Sequence, residues 1–157
     1  MSITSNQIHY LIMTGCTREI SKVSAYTTLK THMVSVAHIL QALKDMGFDK
    51  VEVYSTPQSL IGYEGLRRKQ KAEIIIRKKY VGHASNDIGF RKNADGRYEA
   101  IISEFDRETY NKQWLDQLCQ RYAYHVAREK MTENGFDLIQ ETVDENNAIR
   151  LTLRRMA

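Results

Sequence analysis

The sequence predicts an α+β fold, a single mostly antiparallel sheet with two helices on one face, in the order β-α-β-β-β-β-α-β-β. Two observations carry this. Apolar residues at helical spacing fill two stretches, and each stretch is flanked by segments of β-branched or alternating residues. Between the two helices lie further strands joined by an Asp-Gly turn, which pairs sequence neighbours antiparallel.

The first 22 residues hold a short apolar run, 8–13, with no basic segment before it and no small-residue cleavage site after it. They are expected to form a poorly ordered extension, with residues 23–157 as one domain and Val23 as the native start. Tyr26, Thr27 and Thr28 favour a strand over 24–33. Ser35 suits an N-cap, and Val36, Ile39, Leu40 and Leu43 space a helix to about Met46. Gly47 then fits the left-handed cap, with Phe48 folding back. Residues 50–54 read as a strand that Pro57 ends, opening a loop through Gly62 and Gly65. Ala72, Ile74, Ile76 and Tyr80 alternate with Glu73, Arg77 and Lys79, giving a half-buried strand. A polar loop leads to 88–91, Asp95-Gly96 turns the chain, and 98–105 returns.

Asp106 or Thr109 is expected to cap the long second helix, which runs to about Asn134. Leu115, Leu118, Tyr122 and Val126 form its buried stripe, with Gln120, Tyr124 and Arg128 opposite. Two last strands follow, and Ile149, Leu151 and Leu153 alternate with Arg150, Thr152 and Arg154. Both helices end in Gly-Phe-Asp before a strand. A duplicated, ferredoxin-like ground plan is one reading; good capping chemistry used twice is the simpler one. On a single sheet, Arg77, Lys79, Arg150 and Arg154 would share the face away from the helices.

With 42% apolar and 27% charged residues the composition is that of a folded domain, neither disordered nor membrane-embedded. No run approaches the roughly 18 apolar residues of a spanning helix. Cys16 and Cys119 lie far apart with no metal-ligand spacing, so reduced thiols in a cytoplasmic compartment are expected. The net charge of +4 is local. Residues 64–80 hold seven cations against two acids, an excess larger than that of the whole chain. A concentrated patch indicates a particular acidic partner.

That patch gives the first site set, Arg67, Arg68, Lys69 and Lys71 in a basic loop, with Arg77 and Lys79 on the strand after it. The second set is the polar loop His83, Ser85, Asn86 and Asp87. It could present an imidazole, an amide and a carboxylate to a ligand, although Ser, Asn and Asp equally cap turns through their own backbone. His83 and Asp87 make two metal donors where zinc needs three or four, so no metal or cofactor is expected. Tyr122, Tyr124 and His125 do not converge on one helix face, and no nucleophile stands at useful spacing, so no catalytic residue is assigned. There is no GxGxxG or P-loop motif, and the predicted sheet face has no aromatic platform for bases.

The stretches AEIIIRKKYVGHASNDIGF, YEAIISEFD and WLDQLCQRYAYHVAREK resemble the family of hypothetical chloroplast open reading frame thirty-five, over residues 23–155. The resemblance implies a soluble prokaryotic or plastid protein, cytoplasmic or stromal, with an AAA-type ATPase as a partner. It carries over no catalytic residue. The expected function is therefore a non-enzymatic adaptor that binds an acidic protein. Binding of nucleic acid or a phosphorylated ligand, and an enzyme centred on the His83–Asp87 loop, are the alternatives.

Overall fold

The computed structural model describes residues 7–13, 18–23 and 26–156. Its α+β architecture holds two antiparallel sheets where the sequence predicted one. The larger sheet has six strands, ordered β2-β3-β7-β6-β5-β4: β2 (Arg18–Val23), β3 (Tyr26–Lys30), β4 (Glu52–Ile61), β5 (Arg67–Ile76), β6 (Ile88–Lys92) and β7 (Tyr98–Ser103). The smaller places β9 (Ile149–Arg155) between β1 (Gln7–Ile12) and β8 (Phe136–Val143). Arg77 and Lys79 therefore do not share a sheet face with Arg150 and Arg154, and the single-sheet ferredoxin-like plan is not formed.

The helices explain the split. In α1 (Val36–Asp45) Ser35 caps the start, its side chain accepting from the His38 amide at 3.4 Å. Gly47 at φ +99° ends it, and the Phe48 amide reaches back to the Leu43 carbonyl at 2.9 Å. Ile39 and Leu43 pack on Leu29, Ile74, Phe90 and Ile102 of the larger sheet. Each such fully buried side chain contributes roughly 1.5–3 kcal/mol.

The second long helix, α3 (Lys112–Glu133), buries two faces in turn. Leu115, Leu118 and Cys119 join the α1 core, whereas Tyr124 and Ala127 meet Ile12, Phe136, Ile149, Leu151 and Leu153 of the smaller sheet. Tyr124 and Gln120, expected on the solvent side, are thus buried. Asn111 caps this helix, accepting from the Trp114 amide at 3.0 Å, in place of Asp106 or Thr109. Asp106 instead opens a 3-10 turn, Asp106–Glu108.

Two segments of the N-terminal stretch are strands among the described residues. β1 pairs with β9 from Gln7↔Arg154 to Ile12↔Ile149, and β2 pairs with β3. Ile12 is 4% exposed, because β1 covers a strand edge that would otherwise lie open. Cys16 lies outside the described residues; Cys119 is buried in the core beneath α1.

On the sheet face away from the helices sits a third, smaller core of Tyr26, Leu60, Ala72, Ile75 and Ile101. It forms because the β4–β5 hairpin folds back over that face. Pro57 does not end β4. It lies on the outer strand, where its missing N–H leaves no ladder bond unmade, within the register shift between Val53 and Gln58. Gly89 of β6 lets the hairpin close, since a Cβ there would stand 2.7 Å from the Ala72 Cβ and 2.9 Å from Leu60 Cδ2.

Candidate partner-binding surface

The basic run is a strand. Arg67–Lys71 open β5, correcting the expected loop, because residues 62–65 form the hairpin turn instead. The Gly65 amide bonds the Gly62 carbonyl at 2.9 Å, with Gly65 at φ +84°. Strand alternation then sorts the cations. Arg67, Lys69 and Lys71 are exposed, while Arg68 is partly buried. The Arg68 guanidinium packs against Gly62 so closely that a Cβ there would lie 2.6 Å from its Nε, and Nη2 stands 3.9 Å from Glu64. Arg68 is thus turned inward. Nearby, burial pushes the Tyr26 phenol up to about 12, against the opposing pull of the Arg68 charge.

Arg77 is committed to the fold. Its Nε meets Glu52 at 2.7 Å and its Nη1 meets Asp87 at 2.8 Å. Asp87 is fully buried, and its other contacts are the Lys78 amide on Oδ1 and the Ile61 amide on Oδ2, each at 2.8 Å. Arg77 therefore clasps both ends of β4, Glu52 directly and Ile61 through Asp87. The Arg77 hydrogen bond holds the Glu52 carboxyl below its usual range, and Tyr54 adds a hydrogen bond to it.

The polar loop is mostly internal as well. Ser85, Asn86 and Asp87 are buried. Asn86 accepts from the Tyr63 amide at 3.0 Å, and donates from Nδ2 to Ser103 Oγ at 3.0 Å and to Asp106 Oδ2 at 3.3 Å. The loop is a latch that ties the hairpin turn to β7. His83 is exposed. It borders an open concavity of about 460 Å³ with Tyr63, Lys78, Lys79 and Ser85. Lys78 Nζ also donates to the Tyr63 carbonyl at 2.8 Å, so the hairpin turn sits directly on α2 (Lys78–Val81). Among the described residues no three His, Cys, Asp or Glu side chains cluster as metal donors.

A second concavity, of about 220 Å³, lies between β5 and the folded-over sheet face. Lys69 and Gln70 line one side, and Arg91, Glu99, Thr28 and Ile101 line the rest. Neither Lys78 nor Arg91 was singled out in the sequence. Lys78 could have been, as part of the same charge run; Arg91 gives no local signal, because only the fold brings it opposite Lys69.

On α3 the Tyr124 and His125 rings meet edge to face at 5.2 Å, while Tyr122 turns to the start of α1. The Tyr122 hydroxyl accepts from the Val34 and Ser35 amides at 2.9 and 3.0 Å, and Tyr124 donates to Glu141 at 2.8 Å. His125 pairs with Asp45 at 2.6 Å, and His38 with Glu129. These contacts bind α1 to α3. No helix among the described residues is long and apolar enough to cross a membrane.

Comparison with known proteins gives this geometry a family. The chain is 27% identical over 137 residues to "Uncharacterized protein ycf35" of Pyropia yezoensis, and 28% identical over 138 residues to the protein so named from Guillardia theta. A third relative of that name, from Cyanophora paradoxa, is 25% identical over 133 residues. Each comparison covers 84% of this chain and 97% of the relative. No solved structure matches. The family model "Protein of unknown function (DUF1257)" matches residues 42–152, from the end of α1 into β9. The latch, the clasp and the cationic strand all lie within that span, and the chain belongs to the DUF1257 family.

Proposed function

We propose that the protein is a non-enzymatic adaptor that holds an acidic protein partner on the exposed cations of β5, Arg67, Lys69 and Lys71, with Lys79 on the adjoining turn. One observation carries the reading. These four side chains are exposed and make no ion pair among the described residues, whereas Arg77 and Arg68, from the same run of sequence, point into carboxylates and backbone. Clustered like charges repel one another, and an acidic partner relieves that repulsion. The AAA-type ATPase implied by the family resemblance is one partner to look for.

A phosphorylated ligand is the second reading. What favours it is the concavity where Lys78, Lys79 and His83 open together. The enzyme reading has less support, since the Asn86 and Asp87 side chains direct their polar atoms into the fold.

Capture from nuclease-treated lysate separates these readings. The adaptor retains its partner after nuclease, and loses it when Arg67, Lys69 and Lys71 are changed to Glu. Capture that vanishes with nuclease assigns the surface to nucleic acid instead. Capture unchanged in the reversed variant removes the β5 cations from the account.

A further inference from the structure

We infer that the partner is bound as an added β-strand: an acidic segment in extended conformation pairs with the free edge of β5, alongside Arg67–Lys71. The inference rests on the acidic-partner reading above and supplies its geometry.

The edge is open because β5 outruns its neighbour. β6 pairs with β5 only at Ile74, Ile75 and Ile76, whereas β4 pairs with β5 already at Arg67 and Lys71, with a register shift over the residues between them. Among the described residues, 67–71 therefore have a strand on one side only, and their outward N–H and C=O groups are a template for a further strand. The opening has a defined end, since the Lys92 amide donates to the Glu73 carboxylate at 3.2 Å, beyond which β6 takes over. What remains is about five residues, on the order of 17 Å of strand.

Charge selects the occupant. The cleft beside this edge has Lys69 on one wall and Arg91 on the other, with Glu99 as the one acid lining it. Arg67 and Lys71 add exposed positive charge along the same strand. Lysines on an edge strand commonly serve to keep two copies of a protein from pairing. The same charges that repel a second copy of this chain attract an acidic strand, so protection and selection use one set of residues. Main-chain bonds along the edge would supply affinity, and alternate acidic side chains would supply specificity.

The probe is an acetylated octapeptide of alternating Glu and Thr, compared with the same peptide carrying N-methyl groups on alternate amides. The two have equal charge and differ in their ability to form a ladder. Amide exchange followed by NMR should show the unmodified peptide protecting the amides of residues 67–71 that point away from β4. The N-methylated peptide should bind about tenfold more weakly, because several ladder bonds are lost. Both should lose binding in the Arg67→Glu/Lys69→Glu/Lys71→Glu variant.

Equal binding of the two peptides, still abolished by charge reversal, overturns strand addition and leaves the electrostatic reading standing. No protection at residues 67–71 at millimolar peptide, or protection that follows self-association of the protein, also overturns strand addition. Partner capture that survives charge reversal defeats the acidic-partner reading itself. The two failures are thus distinguishable.

Discussion

Arg77 and Lys71 stand six residues apart in one cationic run, yet the fold gives them opposite surroundings. Arg77 faces Glu52 and the fully buried Asp87, and through them closes β4 onto the larger sheet. Lys71, with Lys69 and Arg67, faces solvent. Where the chain spends a charge internally it provides a partner at 2.7–2.8 Å and backbone donors besides. Along Arg67–Lys71 it provides almost none. Net charge cannot separate these cases; the pairing of each residue does.

The difference can be broken most severely from the clasp side. Asp87→Ala leaves Arg77 Nη1 and the Ile61 and Lys78 amides without their acceptor. Removing one member of a buried pair costs about 3–5 kcal/mol, and urea unfolding should show a loss of that size. A loss below about 1 kcal/mol would mean that the hairpin closes without the clasp.

A lesser loss comes from the packing beneath the same hairpin. Gly89→Ala places a methyl group 2.7 Å from the Ala72 Cβ, an overpacking of about 1–3 kcal/mol. Gly89→Ala/Leu60→Ala should recover part of it if Leu60 is the neighbour that must yield, and a double-mutant cycle reads the coupling.

The clasp also predicts a pH dependence. The Glu52 carboxyl is held below its usual 4.5 in the folded protein, chiefly by the Arg77 hydrogen bond. Its contribution is therefore present above the unfolded value and is lost as pH falls through the folded one. Below about pH 4.5 the wild type should lose stability more steeply than Glu52→Gln, while at pH 7 the variant is the less stable. The gap is modest, since the Glu52 side chain is 40% exposed and solvent screens the pair. Parallel acid limbs in the two proteins would exclude Glu52 from the clasp.

Much of this fold was legible because it rests on local chemistry. Ser35, Gly47 and the Asp95-Gly96 turn act through near neighbours, so the sequence shows them. Tyr124 was misassigned because one helix serves two cores in succession, and a single stripe cannot describe both. The second sheet escaped for a related reason: alternation in Ile149–Leu153 indicates a strand and does not name its partner strands. The cationic run was visible as composition. Its sorting into inward Arg68 and outward Arg67, Lys69 and Lys71 depended on recognising a strand where the turn residues Gly62 and Gly65 suggested a longer loop. Asp87 was visible as a polar loop residue, but its burial beneath Ile61 arises only when the hairpin folds over.

The smallest expected effect on stability belongs to the exposed cations, and it accompanies the largest expected effect on binding. Arg68 is left intact because it packs inside. The Arg67→Glu/Lys69→Glu/Lys71→Glu variant should keep the wild-type circular dichroism spectrum, with about 0.5 kcal/mol or less change per site, as for other exposed substitutions. Measured side by side with wild type, nuclease-resistant partner capture should be lost in this variant while its melting curve is retained. Retained capture, or a collapsed melting curve, contradicts the account of β5 as a binding strand.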